Sequence, residues 1–197
     1  LSIILITFDS MLVNFYKYQG TGNDFVIIDS RSNNIQLTEN NIKKICNRKF
    51  GIGSDGLMII NDHDDYDFEM KFFNPDGSSS FCGNGSRCAV LYNFHHGYVQ
   101  RKCNFLTDDG FHEAKVNKNE IVSVSIKKPQ DFNQIKNDTF EINTGSPHYI
   151  QFISDINQSD FLNYCKSIRN SKKYKKNGIN VNLVQERNSN LVIRTFE

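Results

Sequence analysis

The chain has 197 residues, enough for one large domain or two small ones. Hydrophobic residues make up 38% of it and charged residues 23%, as in an ordinary globular protein. The formal net charge of +1 gives no electrostatic reason to expect binding to nucleic acid or to an anionic membrane.

Residues 1–10 are apolar but too short to span a bilayer, lack a basic start, and directly precede Met11. We therefore expect translation to begin at Met11 and residues 1–10 to be a non-native extension. No targeting signal remains after that correction, so we predict a cytoplasmic protein that contacts neither nucleic acid nor membrane.

The cysteine count is odd, without paired close spacings, which argues against a disulfide framework. No cysteine or histidine pair has the spacing of a zinc site, so we predict no metal. A reducing compartment leaves any chemistry to free thiols. The five cysteines are Cys46, Cys82, Cys88, Cys103 and Cys165.

The first half of the chain alternates strands with glycine turns. A helix begins after Thr38, a residue suited to cap it, and places Ile42, Ile45 and Cys46 on one face. Residues 86–96 are apolar nearly all round, which predicts a helix inside the domain. Predicted strands lie at 12–19, 25–29, 57–60, 66–73, 102–107, 111–116 and 121–127.

The second half repeats this order weakly. The polar, pattern-free segment 129–139 is interpreted as a link to a second unit. That unit has predicted strands at 140–144, 149–154, 179–185 and 191–196, and a helix at 159–168. We predict two domains of mixed α and β structure, 11–128 and 129–197, the second one incomplete because it stops within a strand.

The strongest chemical signal is a cysteine in a glycine-rich turn before the buried helix. At a helix N-terminus, free backbone N–H groups and the helix dipole favour a thiolate and can hold a carboxylate. Cys82 is therefore a candidate base, although a cysteine before a helix is often only a small buried residue. Cys88, further into the helix, is interpreted as core, as is Cys46.

Two weaker motifs flank this one. The turn Gly20-Thr21-Gly22-Asn23 superficially resembles a phosphate loop, but it lacks the lysine and the third glycine of such loops. In Gly145-Ser146-Pro147-His148, a lone histidine at a strand edge is more often structural than catalytic.

Six motifs in order resemble the diaminopimelate epimerase family. They are KYQGTGNDF at 17–25, RKFGIGSDG at 48–56, FNPDGSSSFCGNGSRC at 73–88, GSPH at 145–148, NGINVN at 177–182 and RTFE at 194–197. The resemblance implies two similar domains, each a curled, mainly antiparallel β-sheet around a central helix. It also implies an isomerase that interconverts LL- and meso-diaminopimelate with two cysteine thiols, in lysine and peptidoglycan biosynthesis.

The resemblance further implies particular residue roles, and no pyridoxal phosphate or other cofactor. Cys82 would be the first thiol, with Gly83 and Asn84 giving N–H groups to the substrate carboxylate. His148 and Glu197 would assist the second thiol. The remaining substrate contacts would be Asn23, Asn74 and Asn180. Members of the family are commonly homodimers.

This chain departs from the family pattern at three points. Gly56 replaces a common glutamine and removes a substrate contact, and Ser146 replaces a common asparagine with a shorter donor. The second cysteine of the family lies just beyond the position of Glu197. We therefore expect the 197 residues to be a fragment of a longer gene and to be inactive alone.

Rival interpretations remain open. Proline racemases also use two thiols, but their first cysteine usually precedes Gly-His rather than Gly83-Asn84, and the phenazine-biosynthesis type lacks that cysteine. A carboxylate-binding protein without turnover is the third possibility.

Overall fold

The structure, a computed structural model, describes residues 4–8, 11–157 and 160–196. Contacts divide the chain into two compact units, residues 1–126 and 127–197. None of the helices in the described ranges is long and apolar enough to cross a membrane.

The first unit is an eight-stranded sheet whose strands follow one another in chain order. Neighbouring strands are antiparallel, except that β3 runs parallel to β4 and β5 parallel to β6. Its elements are β1 (Ile4–Phe8), β2 (Met11–Gly20), β3 (Asn23–Asp29), α1 (Glu39–Cys46), β4 (Gly56–Asn61), β5 (Phe68–Phe73), α2 (Gly83–His95), β6 (Lys102–Thr107), β7 (Gly110–Val116) and β8 (Val122–Val124).

Helix α2 is the central helix that the sequence predicts. It contacts β2, β3, β4, β5, β7 and β8, so the sheet curls around it. Val90 and Tyr92 of α2 are fully buried, together with Phe25, Met58 and Phe105 of the sheet. A helix apolar on nearly every side can satisfy its side chains only when it is surrounded in this way.

Helix α1 covers the opposite face of the same sheet. Thr38 caps it by accepting a hydrogen bond from the backbone N–H of Asn41 at 3.2 Å, and Ile42 and Ile45 are buried. Successive strand residues point to opposite faces. In β3, Phe25 therefore packs with α2, whereas Val26 packs with α1.

The second unit is a five-stranded sheet in the order β13-β12-β11-β10-β9. Its elements are β9 (Gln130–Lys136), β10 (Thr139–Asn143), β11 (Pro147–Phe152), α3 (Phe161–Arg169), β12 (Asn180–Arg187) and β13 (Asn190–Phe196). Strands β11 and β12 are parallel, and the other pairs are antiparallel. Phe161 and Cys165 of α3 pack on Val181 and Leu183 of β12.

One prediction was wrong. The segment 129–139 is not a link, because β9 lies within it and pairs with β10. Strand β9 is at the edge of the sheet, and its side chains from Asp131 to Lys136 are exposed. Backbone hydrogen bonds hold such a strand without any alternation of buried and exposed residues. The sequence therefore lacks the apolar–polar alternation by which a strand is predicted.

Gly56, at the start of β4, has a packing role that the sequence did not suggest. A Cβ added there would lie 2.5 Å from Cζ of the buried Phe72 ring and 3.1 Å from the carbonyl oxygen of Phe73. The space beside Gly56 is therefore filled by the aromatic ring of Phe72.

We expect Gly56→Ala to lower the free energy of unfolding by about 1–3 kcal/mol, because the added methyl group overpacks the core. Urea denaturation measures this loss, and Phe72→Leu in the same chain should recover part of it. Gly83→Ala is the control, since a Cβ there meets nothing closer than 3.9 Å. A Gly56→Ala variant as stable as the parent would contradict the packing.

Candidate active site

Cys82 is the N-cap of α2. Its backbone is extended, with φ −131° and ψ 109°, and its Sγ accepts a hydrogen bond from the N–H of Gly85 at 3.4 Å. Its carbonyl oxygen accepts from the N–H of Ser86 at 2.8 Å and from the Ser86 hydroxyl at 2.9 Å. The thiol is thus held at the positive end of the helix, partly exposed.

The N–H groups of Gly83 and Asn84 lie in the first turn of α2, where an α-helix has no internal partners for them. Among the described residues, neither N–H group has a backbone or side-chain acceptor. Two donors beside a thiol at a helix N-terminus form a site suited to an anion such as a carboxylate.

The turn between β2 and β3 lies against this helix end. Oγ1 of Thr21, which donates to the carbonyl oxygen of Gly20 at 2.7 Å, lies 3.3 Å from Oδ1 of Asn84, and Asn84 Oδ1 accepts from Arg87. A Cβ at Gly20 would lie 3.3 Å from Sγ of Cys88, so glycine allows the close approach. Asn23 follows directly as the first residue of β3.

A network of charges fixes the base of this turn. Asp24 pairs with Lys17 and Arg48, each at 2.6 Å, and Arg48 also pairs with Asp55 at 2.7 Å. The hydrogen bond from Arg48 is the largest influence and holds the pKa of Asp24 well below its usual value. The motifs 17–25 and 48–56 are therefore joined by the ion pair of Arg48 with Asp24.

Asn74 lies in the loop that leads towards Cys82. Its Nδ2 donates to the hydroxyl oxygens of Ser78 and Ser80 at 3.0 and 3.1 Å. Ser78 donates its own hydrogen to Asp76 at 2.6 Å, so it must accept from Asn74, which orients the amide. Both hydrogens of Nδ2 are used in the loop, and Oδ1 is the atom that Asn74 can offer to a ligand.

His112 supports the site from below, a role that sequence reasoning missed. Its ring is 1% exposed and stacks on Phe81, the residue before Cys82, with ring centroids 4.7 Å apart and planes at 9°. Nε2 lies 2.9 Å from Oδ1 of Asp109, and Nδ1 lies 2.8 Å from the carbonyl oxygen of Ser125. Only the fold brings β7 beneath the cysteine loop, and no sequence spacing indicated it.

The second unit holds another group of polar side chains. Ser146 Oγ is 3.1 Å from Nε2 of His148 and 3.5 Å from Nδ2 of Asn180. Asn182 Nδ2 is 3.1 Å from Nδ1 of His148, and Oδ1 of Asn182 accepts from Thr195 at 2.9 Å. Asn182 and Thr195 were not among the predicted site residues, although both lie in the motifs.

His148 also lines a cavity of about 270 Å³ within this unit. Glu141 on its wall pairs with Lys173 at 2.5 Å and accepts a hydrogen bond from Tyr174. Although burial acts to raise it, the pKa of Glu141 is lowered by these two donors. The carboxylate of Glu141 thus stays ionised, and Lys173 balances its charge.

The other four cysteines are buried, unlike Cys82. Burial raises the pKa of Cys88 and of Cys103 to about 11, and it also raises the pKa of Cys46 and Cys165. They pack in the cores of the two units. The interpretation of Cys88 and Cys46 as core residues is confirmed.

The predicted site residues thus fall into two groups. Cys82, Gly83 and Asn84 form one, and the turn before Asn23 touches it. His148 and Asn180 are joined through Ser146 in the other. Glu197 lies outside the described residues. Within the described part of the chain, no group of three or more potential metal ligands is present.

Comparison with known proteins decides the family. The family model described as diaminopimelate epimerase matches residues 15–130. The diaminopimelate epimerase of Flavobacterium psychrophilum is 40% identical over 192 residues, covering 94% of this chain and 73% of that protein. That of Aquifex aeolicus is 35% identical over 205 residues, covering 94% and 74%. This chain belongs to the diaminopimelate epimerase family.

Solved structures show the same fold at low identity. A phenazine biosynthesis protein of the PhzF family from Bacillus anthracis matches with a TM-score of 0.67 and 17% identity, covering 94% of this chain and 72% of that one. A hydroxyproline epimerase from Agrobacterium vitis matches with a TM-score of 0.59 and 9% identity, covering 92% and 68%. The predicted fold class is confirmed, and the diaminopimelate epimerase family makes this chain an isomerase.

Because a thiolate is the reacting form, we expect iodoacetamide at about pH 8 to label Cys82 first in the native protein. The other cysteines are buried with raised pKa values. Mass spectrometry of limited digests measures the order, and Cys82→Ser should remove the first adduct while Cys88→Ser keeps it. In urea all five should react alike. Early labelling of Cys88 would contradict the site.

Proposed function

We propose that this protein is a diaminopimelate epimerase that interconverts LL- and meso-diaminopimelate in lysine and peptidoglycan biosynthesis. The observation that carries the proposal is Cys82 as the cap of a buried helix, beside the N–H groups of Gly83 and Asn84. Family membership supports this choice of substrate, because the relatives at 40% and 35% identity are named diaminopimelate epimerase.

Abstraction of an α-proton from an amino acid leaves negative charge that spreads into the adjacent carboxylate. In this proposal, the thiolate of Cys82 takes the proton, and the carboxylate lies against the N–H groups of Gly83 and Asn84. Fixed dipoles that meet developing charge lower the barrier without having to reorganise. Because the helix is buried on nearly all sides, these dipoles cannot turn away from the substrate.

Inversion also requires a proton delivered to the opposite face of the same carbon. We propose that a second thiol delivers it, assisted by His148 and Glu197, and that no pyridoxal phosphate or metal takes part. The four other cysteines named above are buried in the cores, so none of them is assigned this role.

Asn23, Asn74 and Asn180 are proposed as further contacts to diaminopimelate. The loop around Asn74 uses both of its amide hydrogens, so we assign its Oδ1 to an ammonium group of the substrate. We propose that Asn180 contacts the substrate in the second unit, beside Ser146 and His148. We propose a cytoplasmic location, where thiols stay reduced.

The test uses the product of the full gene and measures by NMR how fast deuterium from D2O enters the α-carbon of diaminopimelate. Cys82→Ala should slow exchange by about 10²–10⁴-fold, as expected for loss of an acid–base group. Full exchange in Cys82→Ala would show that the assignment of the base is wrong.

Cys88→Ala is the matched control on the same helix. It should exchange at the parent rate but lose about 1 kcal/mol of stability, because a buried atom is removed. Proline offered as the competing substrate should not exchange. Exchange of proline in preference to diaminopimelate would favour a proline racemase instead.

A further inference from the structure

The orientation of one amide in the second unit is fixed by its surroundings. Nδ2 of Asn182 faces the backbone carbonyl oxygens of Tyr149 at 3.2 Å and Asn180 at 3.3 Å. Carbonyl oxygens only accept hydrogen bonds, so the amide nitrogen must be on that side. Oδ1 then faces the hydroxyl of Thr195, which donates to it at 2.9 Å.

This orientation determines the tautomer of His148. The amide nitrogen of Asn182 lies 3.1 Å from Nδ1 of the ring and cannot accept a hydrogen bond, so its two hydrogens are shared among this ring nitrogen and the two carbonyl oxygens. Nδ1 must therefore carry a lone pair, and the hydrogen of the neutral ring is on Nε2.

The chain of donors continues in one direction. Nε2–H of His148 points at Oγ of Ser146 at 3.1 Å, and Nδ2 of Asn180 also approaches that oxygen at 3.5 Å. An oxygen that accepts from both neighbours keeps its own hydrogen for a further acceptor. The hydroxyl of Ser146 is thus oriented as a donor.

The pairing of the strands explains why these residues meet. His148 is opposite Asn180 in the parallel pair of β11 and β12, and Asn182 is opposite Thr195 in the pair of β12 and β13. Residues two apart on a strand share a face, so all four side chains lie on one face of the sheet.

We propose that Asn182, held by Thr195, is a positioning residue that locks His148 as the Nε2–H tautomer and so makes Ser146 a hydroxyl donor to a carboxylate of the substrate. The identity of the ligand rests on the proposed function, whereas the tautomer does not.

Imidazole nitrogen shifts test the tautomer directly. Long-range ¹H–¹⁵N spectra of ¹⁵N-histidine-labelled protein at about pH 8, where a histidine ring is ordinarily neutral, should show His148 with an unprotonated Nδ1 and a protonated Nε2. The signals are assigned by their loss in His148→Gln. A protonated Nδ1 in the parent protein would overturn the proposal.

Two substitutions should shift those signals. Asn182→Asp replaces the donor by an acceptor and should move a proton onto Nδ1. Asn182→Ala removes the donor altogether and should increase the Nδ1–H population. Thr195→Val, at an exposed residue, leaves the two carbonyl oxygens that orient the amide and should keep the parent tautomer. If Asn182→Asp fails to fold, Asn182→Ala still decides. Unchanged spectra in the Asn182 variants overturn the proposal.

Activity provides the second readout, again with the product of the full gene. Asn182→Asp should raise KM for diaminopimelate by about tenfold with a smaller change in kcat, because Ser146 then no longer donates to the charged substrate group. Ser146→Ala should raise KM for diaminopimelate by about tenfold, since a hydrogen bond to a charged group is lost. A shifted tautomer with unchanged KM overturns the positioning role.

Failure of the proposed function has a different signature. A parent protein that exchanges no α-hydrogen of diaminopimelate would refute that function, yet its His148 spectrum would still report the tautomer. The two hypotheses therefore fail independently.

Discussion

The burial of helix α2 inside a curled sheet is the constraint on which the first unit depends. Its side chains are buried on most sides, so the sheet closes around the helix and its direction is fixed. A fixed helix has a fixed N-terminus, which places Cys82 and the free N–H groups of its first turn. The chemistry proposed for this protein is therefore a consequence of how its core packs.

Polar contacts around that helix end then set the details. The ion pairs of Asp24 with Lys17 and Arg48 hold one turn in place, and Thr21 of that turn contacts Asn84. Stacking of Phe81 on the buried His112 holds the other approach to Cys82. Exposed ion pairs contribute little to stability, so the value of this network lies in positioning the turn.

In the second unit, hydrogen bonds and not ion pairs position the described polar side chains of the candidate site. Its polar face depends on directional hydrogen bonds among neutral side chains, from Thr195 through Asn182 to His148 and Ser146. The backbone carbonyl oxygens of Tyr149 and Asn180 orient the side-chain amide of Asn182. The direction of each later hydrogen bond follows from the one before it. Ser146 carries a short hydroxyl, and this chain of donors gives that hydroxyl a defined direction.

The sequence by itself determined the fold class, the family, the order of nearly all strands and the place of Cys82 at a helix N-terminus. Periodicity and glycine turns carry that information because they depend on near neighbours. Tertiary structure alone revealed β9, the stack of His112 beneath Phe81, and the Phe72 ring that fills the space at Gly56. It also revealed Asn182 as the partner of His148. The contacts of His112, Phe72 and Asn182 join residues far apart in the chain, and their partners are chosen by strand register and packing, which no local pattern encodes. Strand β9 pairs with its neighbour in the chain, but its exposed side chains show no alternation that the sequence could reveal.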